Sequence, residues 1–373
     1  MKHLHSVTAR GQKLFNASPL GGELESAERD APRVDNYSVE AESVRLDDWN
    51  EILQRFDDSS LMQTWSYGSI RWGEKNLSHV VLRKSGKIVA ASQAIIINVP
   101  FLPAGLAYVK CGPCWQLKGE RRDLGAFRQM LRSLYQIYVI KRGLLLRIFP
   151  NAVEDATGTL RTILEEEGFQ EDLHGSLQRT VLLDLSHPLN ELRHSLKGTW
   201  RRNLVLSERN SLTVTHGVGD DLFQELMILY EEMKARKKWE EVADAKYFQQ
   251  VQRNLPAPLK MMCMICRRDG VPVSGAAVSK IGDTAVLLLS ATGNRGLTLR
   301  SSYFLQWQVL KWLKSSNVSW YDLFGINKKT HPGTYQFKSG LAGRLGLESS
   351  YVGAFQAGNP FMTRLLVAKS WSA

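Results

Sequence analysis

The feature that most constrains this chain is one pattern written twice, 184 residues apart. The stretch HVVLRKSGKIVAASQAIIINV starts at His79 and MCMICRRDGVPVSGAAVSKIG at Met262, so that Arg83 and Gly86 fall on Arg267 and Gly270, and Ala90 and Ala91 on Ser274 and Gly275. Each stretch holds two apolar runs around a short polar turn whose glycine can take positive φ, which predicts a hairpin. The first hairpin is followed by Ala107 to Trp115, by a helix with Phe127, Met130, Leu131, Leu134 and Tyr138 on one face, and by the strand LLLRIF at 144–149. The second leads through Thr284 to Ser290 and a helix carrying Tyr303, Trp307, Leu310 and Leu313 to a strand ending at Tyr321 and Asp322. Two copies of hairpin, strand, helix and strand predict a duplicated α+β unit with mixed sheets. A chain of 373 residues agrees, because single cores rarely grow beyond about 250 to 300 residues.

Charge and order along the chain narrow the partners. The net charge is +11, yet residues 1–45 hold six Lys or Arg against seven Asp or Glu, so the globular part carries all of the excess. A basic body attracts polyanions, whether nucleic acid, nucleotide sugar or a membrane leaflet. Residues 1–37 lack apolar periodicity and read as a disordered leader, followed by a first unit at 38–185 and a second at 186–373. No apolar run is long enough to span a membrane and no apolar stretch opens the chain, which predicts a cytoplasmic protein. The four cysteines form two CxxC pairs, Cys111 with Cys114 and Cys263 with Cys266. Cys263 and Cys266 lie in a strand, where positions three apart face opposite sides, and the CGPC lacks a following helix; all four read as buried thiols, with no metal expected.

Between the two units Leu192, Leu196, Trp200 and Leu204 form an apolar stripe, and Arg193, His194, Lys197, Arg201 and Arg202 cover the other faces with no acid from Leu192 to Ser207. Such a face is either a solvated surface or a contact for phosphates, with Lys197, Arg201 and Arg202 the candidate nucleic-acid-binding residues. A further helix is expected from an N-cap at Asp220, ending in Lys234, Arg236, Lys237 and Lys238.

The stretch WYDLFGINKKTHPGTYQFKSGLAGR, from Trp320 to Arg344, reads as a strand end opening into a proline-marked loop that presents Lys338 between aromatic anchors. Tyr321, Asp322, Gly325 and Ile326, then Gly333, Tyr335, Phe337, Lys338 and Gly340, resemble the YDxxGI and GxYxFKxG signature of the Fem (FemABX) peptidoglycan aminoacyltransferases. KxxWRRN around Trp200 is similar to the helix opening that family's second half, and no sustained heptad arm appears, as in its armless members. The resemblance implies two tandem GNAT-like domains. It also implies transfer of an amino acid from aminoacyl-tRNA to an amine of a nucleotide- or lipid-linked peptidoglycan precursor, with Lys338 as the catalytic contact. Peripheral contact with the inner membrane face is compatible with that acceptor.

Substrate contacts are expected at Tyr335 and Phe337 beside the lysine, at Arg71 after the Trp-containing helix start, at Arg147 at a strand end, and at Arg295 and Arg300 near the helix that begins at Ser301. Arg147 has a simple alternative, an ion pair with a nearby acid. CoA is disfavoured, because Arg295 to Ser301 begins like a pyrophosphate loop but lacks its two later small residues, and no cofactor is expected. No residue stands out as general base. Asp322 reads equally as a loop-organising carboxylate, and His331 before Pro332 is a lone loop histidine. A CoA-dependent N-acyltransferase and a non-catalytic RNA- or polysaccharide-binding module both stay open.

Overall fold

The computed structural model describes residues 36–98, 104–172, 178–238, 245–316 and 318–358. The expected leader lies outside the described residues except for Asn36 and Tyr37, where the first strand begins. In chain order the strands are β1 (Tyr37–Ala41), β2 (Leu77–Lys84), β3 (Lys87–Asn98), β4 (Gly105–Lys110), β5 (Leu145–Phe149), β6 (Gln170–Glu171) and β7 (Arg179–Asp184). They continue with β8 (Thr213–Gly217), β9 (Met262–Arg268), β10 (Val271–Ser279), β11 (Thr284–Thr292), β12 (Trp320–Asp322), β13 (Gly346–Ser350) and β14 (Phe355–Ala357). The helices are α1 (Leu46–Leu53), α2 (Trp65–Trp72), α3 (Leu124–Leu134), α4 (Thr159–Glu166), α5 (Leu189–Ser195) and α6 (Gly198–Glu208). After them come α7 (Asp220–Lys237), α8 (Ala245–Asn254), α9 (Asn294–Thr298), α10 (Ser301–Lys314) and α11 (Pro332–Ala342).

The duplication is visible down to single contacts. The two hairpin turns pair Ser85 and Gly86 at φ 50° and 81° with Asp269 and Gly270 at 53° and 78°, the double left-handed geometry that matches strand twist. In each copy the arginine two residues before the turn closes it, Arg83 Nη1 donating to the Gly86 carbonyl at 3.1 Å and Arg267 Nη1 to that of Gly270 at 3.3 Å. Within each copy the third strand runs antiparallel to the second and parallel to the fourth: β4 against β3 and β5, and β11 against β10 and β12.

Sheet membership does not follow the expected division at 185/186. The sheets are ordered β1-β2-β3-β4-β5-β14-β6 and β13-β7-β12-β11-β10-β9-β8. β7 leaves the first unit to pair with β12 and β13, and β14 returns from the chain's later part to sit between β5 and β6. Each sheet thus takes one strand from the other stretch of chain, which binds the halves together through backbone hydrogen bonds.

The apolar stripes find partners on both faces of the second sheet. Cys266 joins one core with Trp200, Leu204, Leu310 and Leu341, while Cys263 joins another with Leu222, Leu226 and Val251, so the two thiols face opposite sides as their spacing requires. That second core also contains Leu61, Met62 and Tyr67 from the first half. Cys114 is buried against Ala91, and burial foremost, then the nearby Asp58, pushes its thiol well above the ordinary range. Asp220 is the first residue of α7, capped by Gly219; its carboxylate sits in the acidic first turn and binds Arg253 at 2.8 Å.

Two local expectations are corrected. The stripe from Leu192 to Leu204 is not one helix but two, α5 and α6, broken at Leu196 and Lys197, although all four apolar residues are buried as expected. The break is held by α11 and the residues just after it: Lys197 N–H donates to the Gly340 carbonyl at 3.1 Å and Arg344 N–H to that of Ser195 at 3.0 Å. The stretch around Lys338 is not a loop either, but the helix α11. Pro332 takes its first position, where a missing N–H costs nothing, and Gly340 is used for close approach, since a Cβ there would stand 2.9 Å from Trp200 Cδ1.

Candidate active site

Strand β12 ends at Asp322, after which Phe324 and Gly325 take φ of 53° and 28° and turn the chain sharply. The turn is organised by Asp322, which is 3% exposed. One carboxylate oxygen accepts from the Thr180 hydroxyl and, at 2.7 Å, from Phe324 N–H, while the other accepts from the Tyr351 hydroxyl. Thr180 lies on β7 and Tyr351 follows β13, so the node ties three elements of the second sheet together. Of the two roles open for Asp322 in the sequence, the geometry gives it the loop-organising one: both oxygens are occupied by the protein. Burial raises its pKa, against the lowering by these three donors and by Lys338.

Lys338 caps the far side of that turn. From α11 its ammonium donates to the Phe324 carbonyl and, at 2.9 Å, to the Gly325 carbonyl. An ammonium has three donors, and two are thereby fixed in direction. Burial lowers the lysine pKa to about 8, with the Asp322 carboxylate opposing the fall. The arrangement is a directed, half-desolvated cation with one N–H available, suited to binding an anionic oxygen.

The flanking residues divide over the two sides of α11. Phe337 packs with Trp200 and Tyr303, ring centroids 5.9 and 5.1 Å away, and with Tyr303, Asn203 and Arg300 lines a hollow of about 600 Å³. Arg300 is oriented by Asn203 Oδ1 at 3.0 Å. Tyr335 faces the other way, its hydroxyl donating to Glu348 at 3.1 Å under the Lys328 ammonium. Arg295 stays outside the hollow and pairs with Asp269 at 3.2 Å on the hairpin turn.

The remaining candidates lie apart. Arg71 stacks its guanidinium on Trp72 and Tyr247 at 4.7 and 4.9 Å, the second ring coming from α8. Arg147 on β5 makes the ion pair that was its simple alternative, with the buried Asp172. Of the basic residues before and within α6, Arg193 is neutralised by Glu208 at 2.7 Å, just past the acid-free stretch. Lys197 and Arg201 share a pocket with His194 and Arg344, from which Arg202 is absent. His331 bonds the Thr330 hydroxyl at 2.8 Å in the exposed loop.

Sequence reasoning missed Thr180, Tyr351 and Arg344. Thr180 and Tyr351 act through strand pairing that no local pattern encodes, whereas Arg344 closes the same motif as Lys338 and was within reach.

No family model matches the chain, and no curated sequence does. Among solved structures it is similar to FemX, with a TM-score of 0.74 at 15% identity over 88% of this chain and 99% of that one. It is also similar to the C-terminal domain of a putative lysylphosphatidylglycerol synthetase from Agrobacterium fabrum, with a TM-score of 0.55 at 14% identity over 87% and 95%. A conserved protein of unknown function from Bacteroides thetaiotaomicron matches with a TM-score of 0.56 at 11% identity over 86% and 99%. The expected likeness to Fem proteins therefore holds at the level of the fold, an α+β architecture built on two seven-stranded mixed sheets.

Proposed function

We propose that this protein is an aminoacyltransferase that moves an amino acid from aminoacyl-tRNA to an amine of a cell-wall precursor. The observation that carries the reading is Lys338: a partly desolvated ammonium aimed by two backbone carbonyls, in the position that the Fem signature gives its functional lysine. The FemX fold supports it, and a fold neighbour named for lysylphosphatidylglycerol, an aminoacylated lipid, supports aminoacyl transfer more broadly.

In the transfer the acceptor amine attacks the ester carbonyl, a C–N bond forms, the bond to the ribose oxygen breaks, and the proton given up by the amine ends on the departing ribose oxygen. Negative charge develops first on the carbonyl oxygen and then on the departing oxygen. The free N–H of Lys338 would stabilise it, and the fixed direction of the other two avoids reorganisation during the step. Asp322, Thr180 and Tyr351 are positioning residues, because they hold the turn whose carbonyls aim the lysine. The hollow beside Phe337, with Arg300 at its edge, is open to an anionic part of a substrate.

The test is incubation of the protein with tRNA charged with labelled amino acids and a nucleotide-linked peptidoglycan precursor, read by mass spectrometry. A precursor heavier by one aminoacyl residue is expected. Absence of transfer with every amino acid and precursor, together with calorimetric binding of acetyl-CoA, would replace the reading by a CoA-dependent acyltransferase. Among the described residues no helix is long and apolar enough to cross a membrane.

A further inference from the structure

A pocket of about 280 Å³ opens where α5 gives way to α6, and its rim brings together His194, Lys197, Arg201 and Arg344. Lys197 and Arg201 are one helical turn apart, and Arg344 arrives from the residues that follow α11. The arginine of the preceding helix is matched to an acid, Arg193 to Glu208. Among the described residues no carboxylate pairs with Lys197, Arg201 or Arg344. Three cations on one hollow repel each other, and a bound anion relieves that repulsion.

The lining identifies the anion. It contains no aromatic ring on which a base would stack, so the pocket suits a phosphate of a nucleic-acid backbone, not a nucleobase. Its position relative to Lys338 is fixed. The Lys197 ammonium donates to the hydroxyl of Ser339, the residue after Lys338, at 3.2 Å, and the backbone N–H of Lys197 holds the Gly340 carbonyl. Gly343 packs so closely on the Ser195 carbonyl that a side chain there would overlap it. Pocket and lysine helix are thus one packed body.

Resting on the aminoacyl-tRNA donor proposed above, we propose that this pocket holds one backbone phosphate of the donor RNA through Lys197, Arg201 and Arg344, and so registers the RNA's acylated end against Lys338. Arg202, on the same helix, lies outside the pocket and contributes only diffuse attraction.

The probe is an unacylated RNA hairpin with a single-stranded end, followed by fluorescence anisotropy across a salt series. Arg201→Ala with Arg344→Ala should weaken binding about tenfold and reduce the slope of log K against log salt by about one, as when a single phosphate is no longer neutralised. Arg202→Ala should leave the slope unchanged, and thermal melting should show both variants folded. The proposal is overturned if the double variant keeps the wild-type slope, or if Arg202→Ala lowers it equally. It is also overturned if UDP displaces RNA from the wild type but not from the double variant, which would give the pocket to a pyrophosphate. RNA binding that is insensitive to Arg201 and Arg344 sinks this proposal alone, whereas a wild-type protein that binds no RNA sinks the donor reading with it.

Discussion

Two glycines in α11 respond in opposite directions to the same substitution. At Gly340 a Cβ would stand 2.9 Å from Trp200 Cδ1 and 3.3 Å from its Cβ, in a buried seam where Trp200 is only 3% exposed and already packed by Tyr303 and Phe337. Ordinary contact begins about half an ångström farther out, so the helix or the indole must move, and overpacking of this kind costs about 1 to 3 kcal/mol. Against it stands a gain of about 0.4 to 1 kcal/mol from restricting the unfolded chain. Overpacking wins, and Gly340→Ala is expected to lose roughly 0.5 to 2 kcal/mol. Gly333 has nothing within 4 Å of the same added atom, so Gly333→Ala should keep the gain and stabilise the protein. Urea denaturation of both variants measures the pair, and transfer activity should fall only for Gly340→Ala, because the shift carries Lys338 with it. If both substitutions are neutral, α11 is not docked on α6 and the placing of Lys338 fails.

Other expectations follow from burial and charge. Because Lys338 acts as the ammonium and burial lowers its pKa to about 8, kcat/KM should fall as pH rises through that value, and Lys338→Met should lack this limb. The sign for stability is the reverse. The unfolded chain holds the lysine proton more tightly, so unfolding free energy should increase as pH rises from about 8 toward 10.5, and pH-resolved denaturation of wild type against Lys338→Met checks it. Thiol titration should find Cys111 reacting first in the native protein, with Cys114, Cys263 and Cys266 reacting only on unfolding, since burial pushes the last two up to about 12. Arg147→Met takes this cation from the buried Asp172 and should cost about 2 kcal/mol in urea denaturation, whereas no loss would make the pair ornamental to the sheet.

The duplication was legible because hairpin turns are local chemistry: Ser85 and Gly86, and Asp269 and Gly270, announce themselves in a few residues. The exchange of β7 and β14 was not, because both strands are short and their partners are chosen by strands far away in sequence. Lys338 was found from its neighbours, yet its setting was misread. Pro332 suggested a loop, whereas it takes the first position of a helix whose Gly340 docks on Trp200. The stripe from Leu192 to Leu204 was correct in what it buries and wrong in continuity, since the break at Leu196 is imposed by hydrogen bonds from α11 and the residues just after it. Asp322 could be seen as a buried carboxylate in the making, but its donors Thr180 and Tyr351 are brought by non-local pairing.

The central claim is that the Lys338 ammonium stabilises charge developing in aminoacyl transfer, and single-turnover transfer from charged tRNA to the precursor amine tests it most directly. Lys338→Met should slow the step by about a hundredfold or more, as loss of an oxyanion donor does, while precursor affinity stays near wild type. Melting should not fall, because removing a partly buried charge relieves its desolvation. Lys338→Arg should recover little, since a planar fork cannot place one donor between the Phe324 and Gly325 carbonyls and the substrate. Transfer at the wild-type rate by Lys338→Met, or a loss confined to stability, would contradict the account.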